Sequence, residues 1–221
     1  MTSRGGAFIV VEGIDGVGKT SQVDRIFNYL VDKLNLGRVI RTKDLGGSKL
    51  GEILRKTMYE EVPIASMAPG VVDLLFLAGH VQNWHIIVKP ALDHGLVVVS
   101  DRWWYSQFAY GAHRSADPRA QTAYASMRGG DADVLIFLYG DPKILLARAN
   151  ARKDSTKHQH QKPWNFTDTQ AKVAETYMKR YNQAPEWCPI NVGERSEDEV
   201  WELVKPVVDD LLQRKHIDAR Q

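Results

Sequence analysis

Short apolar, β-branched runs alternate along the chain with longer stretches in which apolar residues recur every three or four positions. The first kind predicts strands at Ala7–Val11, Arg38–Thr42, Leu96–Ser100, Asp133–Tyr139 and Pro189–Val192. The second predicts helices over Lys19–Leu34, Lys49–Tyr59, Val71–Asp93, Trp103–Ala112, Lys143–Ala151, Thr167–Asn182 and Glu197–Arg214. Strands separated by helices connect by right-handed crossovers, so the expected architecture is α/β: a parallel five-stranded sheet with helices on both faces, in three layers. Ligands of such sheets bind beyond the carboxyl ends of the strands.

Directly after the first predicted strand comes Gly13-Ile14-Asp15-Gly16-Val17-Gly18-Lys19-Thr20, which matches the phosphate-binding pattern G-x-x-x-x-G-K-[ST]. Its glycines let backbone amides close on an anion, Lys19 brings a mobile positive charge, and Thr20 offers a hydroxyl to magnesium. The helix that follows turns its positive end toward the same anion. Asp101-Arg102 closes the strand Leu96–Ser100 and shares that rim of the sheet. The carboxylate suits a magnesium-bound water, and the guanidinium fork suits a phosphate. The polar run Arg152 to Pro163 lies between two helices and carries cations throughout; it is expected to act as a lid over phosphates, at about 150–165.

With 221 residues the chain suits one domain with a substantial core. A net charge of +2 argues against a dedicated nucleic-acid binder. The single cysteine, Cys188, excludes an internal disulfide and suits a reducing compartment. No apolar run is expected to approach membrane-spanning length, and the short segment before the first strand would leave no room for a signal peptide. A cytoplasmic location follows. An apolar face on Val71–Asp93 would serve a homodimer, although a core-facing stripe reads the same way.

The run Phe8 to Gln22 closely resembles the start of the thymidylate kinases. Leu45 to Glu52, Leu74 to Ala78, Lys89 to Leu92 leading into Val99-Ser100-Asp101-Arg102, then Ser106 and Ala109-Tyr110 continue the likeness in order, from about residue 7 to residue 150. The resemblance implies a single P-loop nucleoside-monophosphate-kinase-like domain over 1–221. Its reaction would be phosphoryl transfer from ATP, with Mg2+, to a deoxynucleoside monophosphate. Gly13, Ile14, Asp15, Gly16, Val17, Gly18, Lys19, Thr20 and Ser21 would hold the donor phosphates, with Thr20 and Asp101 serving the metal. Asp15 would also take the acceptor's 3′-hydroxyl. Arg102 would clamp the acceptor phosphate, Phe76 would stack on its base, and Tyr110 would pack under its sugar. Ser106 and Gln107 would face the base edge, and Arg148 would lie against the donor adenine. Gly16 stands where some members carry a P-loop arginine, so catalytic charge would come from the lid, with Arg152, Lys153 and Lys157 as candidates.

Departures from the family pattern gather at the acceptor base. Gly79-His80 replaces the usual Asp-Arg, whose arginine donates to a thymine carbonyl; His80 would take that place, and His80→Arg would shift base preference. Lys43-Asp44-Leu45-Gly46-Gly47 replaces Arg-Glu-Pro-Gly-Gly, Gly111 replaces a glutamine, and Trp103-Trp104-Tyr105 is bulky. The acceptor is dTMP on the simplest reading; dUMP, a 5-substituted dUMP or a purine deoxynucleotide are alternatives. A deoxynucleoside kinase using Asp44 as base, and an ATPase acting on nucleic acid, stay open as rivals, separable by assaying thymidine and by DNA-stimulated hydrolysis.

Overall fold

A computed structural model describes residues 5–62, 64–68, 70–113, 118–145, 166–182 and 184–218. Five strands form one parallel sheet: β1 (Ala7–Gly13), β2 (Val39–Lys43), β3 (Val97–Asp101), β4 (Val134–Tyr139) and β5 (Trp187–Asn191), in the order β2-β3-β1-β4-β5. The three central strands are apolar on both faces, as Ala7 to Val11, Val97 to Val99 and Val134 to Leu138 require when helices cover both sides. The two edges differ. In β2, Arg41 and Lys43 are exposed, and β5 carries Pro189, which an edge strand tolerates because its outer N–H groups need no partner.

Around the sheet lie α1 (Lys19–Leu34), α2 (Lys49–Lys56), α3 (Val71–Asn83), α4 (Lys89–Asp93), α5 (Trp104–Gly111), α6 (Pro118–Met127), α7 (Phe166–Tyr181) and α8 (Glu197–Arg214). Ser48 caps α2 by accepting from the Gly51 amide. Ser196 and Glu199 close a capping box on α8, and Val200, Val204, Val208 and Leu211 give that helix its buried stripe. Salt bridges from Arg25 to Asp198 and from Lys33 to Asp209 fasten α1 to α8.

Each expected strand is present with ends shifted by one or two residues, and α1 and α8 match their expected bounds. Helix α6 went unpredicted, because only Ala120 and Tyr124 turn inward from an otherwise polar, small-residue segment. Of the helix expected over Lys143–Ala151, residues 142–145 are helical and 146–151 lie outside the described residues. The structure corrects one reading. Val71–Asp93 runs as one helical stretch of 23 residues, long and apolar enough to cross a bilayer by length and composition alone. Its polar side chains argue for a core helix instead: Asp73, His80 and Asn83 are buried and bonded within the protein.

Aromatic rings fill the layer beside β1 and β4. Phe137 is fully buried, stacked with Tyr139 and Trp187 and tilted against Tyr177. Phe137→Ala is expected to cost about 3–5 kcal/mol through lost burial and an unfilled cavity. For a chain of this size thermal unfolding followed by circular dichroism would then show a Tm lower by roughly 10–15 °C.

Candidate active site

The chain turns from β1 into α1 through residues 13–18. Gly13 has φ +145°, and a Cβ there would collide with the carbonyl oxygen of Leu138 on the neighbouring strand, so only glycine fits. Gly18, at φ +93°, opens α1 without a side-chain cap, which leaves its first amides facing the loop. Lys19 folds back over this turn, and its ammonium donates to the Ile14 carbonyl at 2.7 Å. Burial, reinforced by the Arg102 charge, pulls the Lys19 pKa down to about 8, against the opposing pull of Asp15, Asp101 and Glu12.

Strand register brings the second half of the site alongside. Val11 of β1 pairs with Asp101 of β3, and the Thr20 hydroxyl donates to Asp101 Oδ2 at 2.8 Å. Ser21 instead points to α8, donating to Glu197 Oε1 at 3.0 Å. Arg102 follows with a left-handed backbone, φ +71°. Its Nη1 donates to the Gly13 carbonyl and to Ser106 Oγ, both at 3.0 Å, while Nη2 donates to Asp15 Oδ1 at 2.6 Å. Burial alone would lower the Arg102 pKa, but Tyr110, Asp15, Tyr177 and Glu12 together hold it well above its ordinary value. The site therefore keeps a permanent positive charge with little freedom to turn.

A cavity of about 720 Å³ opens over these groups. Asp15, Lys19, Thr20, Asp101 and Arg102 line it, as their positions along the sheet rim led us to expect. Two further cations line it that sequence reasoning missed, Lys43 at the end of β2 and Arg55 in α2. Lys43 stands at a strand's carboxyl end beside Gly46-Gly47, a signal that was open to reading; Arg55 lies within a helix face and carried none. Arg41 also lines the cavity but is paired with Asp24 at 2.6 Å.

A third contribution comes from α7, far along the chain. Gln170 Oε1 accepts from the Asp15 amide at 3.0 Å and from the Tyr110 hydroxyl at 3.2 Å, so it braces the phosphate loop from outside. Its own Nε2 is buried without a partner. Arg102 also lies over the Tyr110 ring, 5.3 Å from its centre.

Phe76, His80, Ser106, Gln107 and Tyr110 are absent from the cavity lining. Phe76 is half-buried between the main core and a small cluster of Leu45, Met58 and Val72. Gln107 is buried and donates to Asp73 Oδ1 at 2.5 Å, and the Ser106 hydroxyl is engaged with Glu12 and Arg102. His80, expected at the base edge, lies inside the protein. The ring is fully buried, 4.1 Å from Trp103 and 5.3 Å from Tyr124 centre to centre. Nε2 donates to the Arg128 carbonyl at 2.7 Å and Nδ1 faces Asp44 Oδ2 at 2.9 Å, so neither nitrogen is left for a ligand. Arg148, Arg152 and Lys157, with Lys153, lie outside the described residues.

The departures at 44–45 and at 79–80 prove to be contacts of one another. Asp44 pairs with His80, and a Cβ on Gly79 would run into Leu45 Cδ1, so the glycine makes room for the leucine. Changes that looked separate in sequence form one exchanged joint between the β2–α2 loop and α3.

A parallel sheet ordered 2-3-1-4-5, with a phosphate loop after its first strand and an Asp-Arg pair after its third, defines a P-loop kinase of the nucleoside monophosphate class. A family model for thymidylate kinase matches residues 11–204. The chain belongs to the thymidylate kinase family, whose enzymes phosphorylate dTMP to dTDP at the expense of ATP. It is 32% identical over 209 residues to a probable thymidylate kinase of Pyrococcus horikoshii, covering 94% of this chain and 98% of that one. Against a thymidylate kinase of Francisella philomiragia the identity is 35% over 145 residues, 64% of this chain and 70% of that one. The crystal structure of thymidylate kinase from Ehrlichia chaffeensis superposes with a TM-score of 0.70 over 93% of this chain and 99% of that chain, at 20% identity, which supports the fold.

His80→Arg would push a longer cation into the stack of Trp103 and Tyr124 and part Asp44 from its partner. We expect a loss of about 3 kcal/mol, as for a broken buried pair, and a Tm drop of roughly 10 °C. A shift of base preference at unchanged Tm in a calorimetric scan would contradict the burial argument.

Proposed function

We propose that this chain transfers the γ-phosphoryl group of ATP to dTMP at the cavity between the phosphate loop and Arg102. The observation that carries the reading is the placement of cations. Lys19, Arg102, Lys43 and Arg55 line one cavity from separate elements of the fold, a layout that suits two phosphate chains brought end to end. Phosphoryl transfer asks for such an arrangement, because its transition state spreads charge over the moving group and needs alignment and neutralisation more than covalent help. An oxygen of the acceptor phosphate attacks Pγ, the bond from Pγ to the β–γ bridging oxygen breaks, and ADP leaves with the electron pair. The attacking group is already an oxyanion, so no side chain is required as base.

In this reading Gly13 to Ser21 wrap the donor phosphates and Lys19 follows the charge of the moving group. Arg102, Lys43 and Arg55 hold the acceptor phosphate, and Asp15 accepts from the sugar 3′-hydroxyl. The Thr20 hydroxyl and Asp101 carboxylate, 2.8 Å apart on the cavity wall, are hard oxygen donors that fit Mg2+. Among the described residues no group of three or more His, Cys, Asp or Glu side chains could hold a metal ion. When bound, the metal would offset charge on the β- and γ-phosphoryl oxygens. Phe76 and Tyr110 belong to the base and sugar side, and Arg148, Arg152 and Lys157 would complete the donor side from the segment at 150–165. We further take the enzyme to be a cytoplasmic homodimer; the exposed apolar residues Val71, Leu74 and Ile86 on the Val71–Asp93 stretch support a twofold contact.

Two measurements test this reading. In a coupled ADP-release assay with dTMP, Lys43→Ala and Arg55→Ala should each raise the acceptor KM about tenfold, the effect of losing a charge-assisted hydrogen bond, with the ATP KM little changed. The second uses the Lys19 pKa of about 8 in the free protein. The ammonium form binds phosphate, so affinity for ATP should be full below pH 8. It should weaken as pH rises from 8, by up to about tenfold per unit, because binding must then take up a proton. Lys19→Arg should flatten that slope in a titration with a fluorescent ATP analogue between about pH 7 and 9.5.

A further inference from the structure

Glu12, the penultimate residue of β1, is a carboxylate with no exposure to water. Its Oε1 accepts from the backbone amides of Trp103 at 2.9 Å and Ser106 at 3.1 Å. Its Oε2 accepts from the Ser106 hydroxyl at 2.7 Å and the Tyr177 hydroxyl at 2.8 Å, and lies 3.7 Å from Arg102 Nη1. Burial pushes the Glu12 pKa up, and Arg102 and these donors oppose it. Such a group is expensive to bury, so four direct donors mark a built site.

The same donors fix Arg102. The Ser106 oxygen accepts from Arg102 Nη1 at 3.0 Å while its hydrogen goes to Glu12, so the carboxylate decides which way the serine lone pairs point. Tyr177 lies 2.8 Å from the same serine oxygen and 2.8 Å from Glu12, closing a triangle of three oxygens behind the guanidinium. On the other side Asp15 holds Nη2. Asp15 lines the cavity and can turn to a ligand; Glu12 and Tyr177 do not line it and cannot.

We propose that Glu12 and Tyr177 are positioning residues for acceptor binding: through the Ser106 hydroxyl they set the Arg102 guanidinium at the angle at which it meets the acceptor phosphate. Neither touches substrate. The inference rests on the reading of Arg102 as the acceptor's phosphate clamp. It also gives α7 a part in acceptor recognition, since Tyr177 lies on that helix.

Steady-state kinetics by ADP release, varying dTMP and ATP in turn, tests it. Tyr177→Phe removes one hydroxyl and keeps the ring packed on Phe137. It should raise the dTMP KM about fivefold to tenfold, the range of one buried hydrogen bond in a charged network, with the ATP KM within about twofold and Tm lower by only a few degrees. Glu12→Gln puts an NH2 where two hydroxyls now donate, so the introduced amide and Arg102 compete for the same serine oxygen; the dTMP KM of that variant should rise further. Should it fail to fold, Tyr177→Phe decides alone. Unchanged constants in Tyr177→Phe, or dTMP and ATP KM rising together with a large fall in Tm, would overturn the proposal. Arg102→Ala, run beside it, separates the two layers. If it loses acceptor affinity while Tyr177→Phe does not, the clamp reading stands and the positioning role falls; if it keeps acceptor affinity, the clamp reading falls and the proposal with it.

Discussion

A guanidinium that must stay charged while largely shielded from water governs the arrangement around it. Arg102 sits between Asp15 and Glu12, over the Tyr110 ring, and against the carbonyl that ends β1. The partners come from β1, the phosphate loop and α5, so the charge acts as a fastener between these elements and the end of β3. The arrangement costs desolvation when the chain folds. In return the cation needs little reorganisation when an anion arrives, which is how a fixed electrostatic site gains over a flexible one in water. Lys19 answers the same constraint by the opposite route. It lies with its ammonium against a carbonyl and its pKa drawn down to about 8, and a bound anion would draw that pKa up again.

Much of this was legible in the sequence where local rules act alone. The alternation of β-branched runs and amphipathic stretches pointed to the parallel sheet, because strands covered on both faces have no other composition open to them. The Gly13–Thr20 loop was legible because its glycines are demanded by backbone geometry, as the Leu138 contact at Gly13 makes plain. Helix α6 was not legible, since two inward residues in ten carry no periodic signal. Gln170 and Tyr177 were hidden for a different reason. Their partners, Asp15 and Glu12, lie about 155 and 165 residues away, and no pattern within a helix reveals a contact made by folding.

Base-side residues were the least legible part of the site. Family likeness put His80 at the acceptor base, yet a side chain's neighbours decide its role, and here Asp44 and the Arg128 carbonyl engage both ring nitrogens. The contacts of Asp44 with His80 and of Leu45 with Gly79 mean that the loop carrying Lys43 is seated on α3 by a buried hydrogen bond and a tight apolar contact. Reading the four positions singly suggested a changed ligand. Taken together they describe a changed seat for the phosphate-side loop.

The two borders of the sheet carry a further consequence. At one border Pro189 has no amide hydrogen to offer an incoming strand, and at the other Lys43 sets positive charge on the open rim, beside Arg41 paired with Asp24. A foreign chain seeking to extend the ladder would meet a missing donor on one flank and electrostatic repulsion on the other if it were itself basic. The lysine that guards the flank also faces the phosphate cavity, so replacing it for catalytic reasons would at the same time loosen a barrier against aggregation.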